Sequence, residues 1–140
     1  MTVEMKTLRA VAALAAAVTL APLPARAQAP PAPARYAPLI HGWESHFTVT
    51  TPEVFERRGR PWLAGHVTNQ HGFTAMRVRL LVDALDDSGR VLAQRVSWLG
   101  SPVPPGARVY FEIPAPEAAA RYRVAVFAFD WLQTASIEAP

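Results

Sequence analysis

From residue 65 to residue 131 the chain runs in short stretches of alternating apolar and polar residues, cut by turn chemistry. A side-chain period of two places successive residues on opposite faces of a strand, so this pattern restricts the chain to sheets with a buried face. The clearest stretch is 76–84, where Met76, Val78, Leu80, Val82 and Ala84 share one face while Arg77, Arg79 and Asp83 share the other. The first set is expected in the core and the second toward solvent. Asp87-Ser88-Gly89 follows, an acid able to bond its own backbone and a glycine free to take positive φ, so residues 90–98 are expected to return antiparallel. Pro102 to Gly106 forces another turn, after which Val109, Phe111 and Ile113 face inward. Beyond an Ala-rich loop, Tyr122, Val124 and Val126 open the last long strand.

Upstream, residues 46–50 carry the β-branched alternation of a first strand, and residues 61–69 read as a second. Gly65 within it marks a bulge or a close approach of neighbouring backbone. Residues 53–60 suit a helical turn or an open loop. Six or seven short strands with no convincing helix predict an all-β fold of two packed antiparallel sheets rather than a parallel α/β arrangement.

The N-terminus carries a different kind of signal. Lys6 and Arg9 precede a weakly polar stretch over 10–22, and Ala25-Arg26-Ala27 supplies the small residues that a signal peptidase admits. Residues 1–27 are therefore expected to be a secretory signal peptide, with Met5 as an alternative start because Glu4 sits oddly in a basic n-region. The apolar stretch is shorter than the roughly 20 residues that span a bilayer, and no transmembrane segment is expected once it is removed. With no cysteine to follow the cleavage site no lipoprotein anchor is expected, and Arg9-Ala10 lacks the paired arginines of a twin-arginine signal. The expected location is periplasmic or secreted.

Residues 28–44 form an Ala/Pro-rich spacer and approach segment, of which 36–43 is apolar enough to pack back on the domain. Residues 45–132 make the sandwich and 133–140 a C-terminal tail. Cleavage after Ala27 leaves 113 of 140 residues, enough for one core and no more. With no cysteine, packing alone must hold it. Formal net charge is +3, from 14 Lys and Arg against 11 Asp and Glu. Three of those bases (Lys6, Arg9, Arg26) and one acid (Glu4) precede residue 28, which leaves 11 against 10. What remains is scattered arginine with no stripe, so no nucleic-acid partner is expected.

The order of signals resembles the immunoglobulin-like bacterial domains named FxLYD, over about the last two-thirds of the chain. Gly65, Val67 and Asn69 match that family's Gly-x-Val-x-Asn strand; Gly89, Pro105-Gly106, Phe111 and Tyr122-Val124-Val126 match its later turns and strands. The naming motif falls on Val82-Asp83-Ala84-Leu85-Asp86 and keeps only its final Asp. The resemblance implies an immunoglobulin-like antiparallel β-sandwich of about seven strands in an exported protein. It implies no reaction.

Candidate chemistry is sparse. Four histidines form two i,i+5 pairs, His41 with His46 and His66 with His71, but an odd separation on a strand sends the two side chains to opposite faces. A metal site would need the pairs to converge through loops, and none is expected. Met76 lies on the core face and makes a poor copper ligand. Asp86-Asp87-Ser88-Gly89 lacks the alternating oxygens and distal Glu of a calcium loop. No Gly-x-Ser-x-Gly elbow, cysteine nucleophile or phosphate cradle is present. Carboxylates paired across loops, such as Asp83 with Asp130, are read more simply as strand-end or solvent-facing acids. No cofactor and no catalytic residue are expected, and the protein is not expected to be an enzyme.

The anomaly is Phe127, Phe129 and Trp131, which continue the last strand on the face opposite Tyr122, Val124 and Val126. Two accounts compete. A bulge near Ala128 swaps faces, or residues 36–43 cover them; alternatively the three rings form an exposed apolar patch for a protein or a sugar. These three residues are the candidate binding surface; Trp62 and Trp98 are similarly ambiguous, each read more simply as core or sheet-edge packing than as a ligand platform. The expected role is a non-catalytic interaction module for an unknown protein partner. Its rival is a small-ligand or carbohydrate-binding domain that uses surface aromatics.

Overall fold

The computed structural model describes residues 35–133. The expected signal peptide, the spacer up to residue 34 and the tail from residue 134 lie outside the described residues. Seven strands follow in order: β1 (Phe47–Val49), β2 (Glu53–Arg57), β3 (Arg60–Asn69), β4 (Thr74–Leu85), β5 (Val91–Trp98), β6 (Arg108–Pro114) and β7 (Arg121–Leu132). In one sheet β3 is central, with β6 on one edge and β1 and β2 end to end along the other. The second sheet runs β5-β4-β7. Every pairing is antiparallel, and the two sheets pack as a β-sandwich with the β3–β6 and β4–β7 pairs facing each other across the core. Tyr122 ties the connection between them. Its hydroxyl donates to Glu117 O (2.6 Å) and accepts from Ala119 N–H (3.0 Å), which pins the chain as it crosses from one sheet to the other. No helix among the described residues is long and apolar enough to cross a membrane.

The expected alternation of β4 holds for Val78, Leu80, Val82 and Ala84, all buried. Met76 is a correction. Between Met76 and Arg79, β4 carries one residue more than β7, and Arg77 takes φ of 49°. That bulge reverses the phase, so Ala75 enters the core in place of Met76, which is half-buried. One step further on, β7 carries the extra residue: Arg79 faces Ala128 while Leu80 faces Val126, which leaves Phe127 outside the ladder. The two bulges cancel, and the register beyond them is the one before.

Residues 53–60 form neither a helical turn nor an open loop. They make β2 and a two-residue hairpin at Arg58-Gly59, both at positive φ (51° and 73°), as a primed turn between twisted strands requires. At Gly65 the ladder is regular, so there is no bulge. The close approach comes from a side chain: a Cβ here would lie 2.8 Å from Phe111 Cζ and 3.0 Å from Thr50 Oγ1. Asn69, also fully buried, pins two loops. Its Nδ2 donates to Phe73 O (2.7 Å) and Val103 O (2.9 Å), and its Oδ1 accepts from His71 N–H (2.8 Å).

Before β1 the chain packs back as a strap. The Gln94 side chain pairs both ways with the Tyr36 backbone (2.6 and 2.9 Å), and Leu39 N–H donates to Phe127 O (2.8 Å). Ile40 and Trp43 then rest on the core, and a short 3-10 turn at Trp43–Ser45 leads into β1.

Candidate functional site

Cross-strand register arranges the outer face of the β5-β4-β7 sheet in rows. Asp83 lies between Gln94 and Arg123, Leu81 between Val96 and Ala125, and Arg79 between Trp98 and Ala128. In the first row the Asp83 side chain is only 5% exposed, yet fully served. Arg123 Nε and Nη2 donate to Oδ2 at 2.9 and 2.5 Å, and Gln94 Nε2 donates to Oδ1 at 2.8 Å. The middle row is apolar, and its Leu81 and Val96 join Phe127 and Ala128 in a small cluster outside the main core.

The third row differs. The Arg79 guanidinium lies 5.3 Å from the Trp98 ring centroid and 5.6 Å from that of Phe127. Such a cation is held by the negative faces of the rings. Its Nε is buried and has no hydrogen-bond partner among the described residues. Trp98 is 61% exposed, and on the strap Tyr36 meets Phe127 edge-on at 6.3 Å. Beside Trp98 is a concavity of about 240 Å³ lined by Met76, Arg77, Val78, Gly100, Ser101 and Pro102. Arg77 on its rim donates to Asp130 at 2.7 Å.

Phe127, Phe129 and Trp131 do not form one exposed patch, and both covering accounts operate. The bulge at Phe127 turns Phe129 and Trp131 inward, where they pack on Phe47 at 4.8 and 5.7 Å. Phe127 alone stays on the outer face, 8% exposed under the strap. Asp83 and Asp130 stand about 20 Å apart along β7 at the strand rise per residue, each engaged by its own arginine. Of the histidines, the structure brings together His46 and His71, with rings 4.9 Å apart and His71 stacked on Trp131 at 4.3 Å. Phe73 N–H donates to His71 Nδ1 (3.3 Å), which puts the proton of the neutral ring on Nε2. The sequence reading missed Arg79 with Trp98. Pairing across Asp87-Ser88-Gly89 alone would set residue 79 opposite residue 97; a register shift between Ala84 and Leu85, which has no local sequence signal, moves it opposite Trp98.

The outer face of the other sheet is closed electrostatically. Arg57 lies 4.3 Å from the Trp62 ring centroid and 5.3 Å from that of Phe55, and it ion-pairs with Glu112. Tyr110 Oη donates to Glu112 Oε1 (2.8 Å), and Arg108 Nη2 meets His66 Nδ1 at 3.3 Å. The Arg57 guanidinium, and after it the Tyr110 hydroxyl, hold the Glu112 carboxyl below its ordinary range. The same bond raises the Tyr110 phenol. Comparison of the chain with family models, curated proteins and solved structures finds no match.

Proposed function

We propose that this chain is an exported, non-catalytic interaction module with an immunoglobulin-like fold, and that it docks a protein partner on the outer face of the β5-β4-β7 sheet. One observation carries the reading: an exposed Trp98 beside a half-buried Arg79, next to an apolar concavity. Tryptophan and arginine dominate docking energetics because they combine large apolar contact with directed polar bonds. Export rests on the sequence of residues 1–27, and kinship with FxLYD domains on the strand and turn motifs that carry that resemblance.

A photo-crosslinking residue at Ser101, on the rim of the concavity, tests this against one at Thr48 on the opposite face. Adducts are expected in the exported fraction from position 101 only, and Trp98→Ala should abolish them. Equal adducts from both positions, or none from 101, would refute the docking face. A second reading is favoured by the Trp62, Arg57 and Tyr110 surface, where rings lie beside fixed polar groups as in saccharide recognition. Calorimetric heats with oligosaccharides that vanish in Trp62→Ala would support it.

A further inference from the structure

Arg79 is the point on this face where charge and bonding do not close. The two acids nearest in register cannot serve it, because Asp130 is engaged by Arg77 and Asp83 by Arg123 and Gln94. Its flanks are rings, which offer the cation no acceptor atom in the plane of the guanidinium. A buried polar group without a partner is rare enough to require one, and for a guanidinium edge the fitting partner is a planar anion. The neighbouring cation being occupied, a single negative charge suits the site better than a phosphate dianion. Trp98 also lines the apolar concavity, which adds a second demand. Whatever brings the anion should carry a hydrophobic group beside it.

We propose that Arg79, walled by Trp98 and Phe127, is a receptor for one carboxylate, presented by a partner segment whose adjacent apolar group enters the concavity beside Trp98. This rests on the reading of the same face as a docking surface, but the site can be read without any partner. The Nε–H of Arg79 gives its own signal in a nitrogen–proton correlation spectrum, assigned by its loss in Arg79→Lys. Benzoate, titrated into the full chain, should shift that signal saturably, and the neutral isostere benzamide should not. Trp98→Ala should weaken the benzoate response by about tenfold.

Equal responses to benzoate and benzamide, or a tighter response to inorganic phosphate, would overturn the assignment. So would a signal already shifted without ligand that reverts in Glu138→Gln, because the chain's own tail would then fill the site. A benzoate response without crosslinks from position 101 would keep the receptor and refute the docking module. Crosslinks without a benzoate response would do the reverse.

Discussion

Replacing Asn69 gives the sharpest test of the packing. The side chain is fully buried and makes three hydrogen bonds, two donated by Nδ2 to Phe73 O and Val103 O and one accepted by Oδ1 from His71 N–H. Asn69→Ala removes all three. At about 1 kcal/mol each the loss is about 3 kcal/mol, a large share of the roughly 5–15 kcal/mol that holds a domain of this size. With 4–8 °C per kcal/mol, the melting temperature should fall by roughly 12–24 °C. Asn69→Asp preserves the shape but turns a carboxylate oxygen toward two carbonyls, so at neutral pH it should be worse than Ala. The sign follows from linkage. Burial beside acceptors raises the pKa of the introduced acid above its unfolded value near 3.9, so the variant is least penalised below about pH 4 and loses stability as pH rises through the folded pKa. Thermal melts by circular dichroism at pH 7 and pH 3.5, each referred to the wild type, would show the Asp variant below Ala in the first and closing the gap in the second. An Asp variant melting at or above the Ala variant at pH 7 would refute the donor assignment.

Gly65→Ala forces its Cβ onto the Phe111 ring and should destabilise by about 1–3 kcal/mol, with Phe111→Leu in the same chain recovering part of the loss in a double-mutant cycle. The Asp83–Arg123 pair should respond asymmetrically in urea unfolding. Arg123→Ala strands a buried carboxylate and should cost about 3 kcal/mol, whereas Asp83→Asn frees an arginine already in water and should cost about 1 kcal/mol. Asp86 accepts from Ser88 Oγ, from the backbone N–H of Ser88 and Arg90, and from Arg90 Nε; the Ser88 hydroxyl, and after it the Arg90 backbone N–H and guanidinium, hold its carboxyl well below the usual range. A depressed folded pKa stabilises above the unfolded value and loses that contribution as pH falls, so below about pH 4 the wild type should lose melting temperature more steeply than Asp86→Asn.

The places of most strands along the chain and most inward residues were legible because half-buried strands announce themselves by period two, as Leu80, Val82, Phe111 and Val124 show. The failures lie where that period is interrupted without the usual residues. Arg58 adopts positive φ in a primed turn normally built from Asn, Asp or Gly, so the β2–β3 hairpin had no sequence mark. Each bulge adds a residue to one strand only, and neither Arg77 nor Phe127 carries a glycine that would flag it. Met76 therefore changed face unannounced, whereas the swap at Phe129 was legible only as one of two accounts of an aromatic run that broke the alternation. Asp83 was placed on the correct face, but its burial depends on Gln94 and Arg123 from two other strands, information no local pattern contains. Arg79 was invisible as a site for the same reason, since its significance is the absence of a partner after every neighbour has been assigned.

The strap also sets an order of events. Tyr36 and Leu39 are made before any strand, yet Leu39 binds to the backbone of the final strand and Tyr36 to its ring and to β5. During synthesis the latch therefore waits for almost the whole domain to emerge, and non-local closure of this kind is slow. Until it shuts, the middle of β7 presents a bare edge rich in Val, Ala and Phe, the sort of surface on which one unfinished chain recruits another. A mutation that loosens Leu39 should therefore reduce the protein's yield before it measurably lowers its melting point.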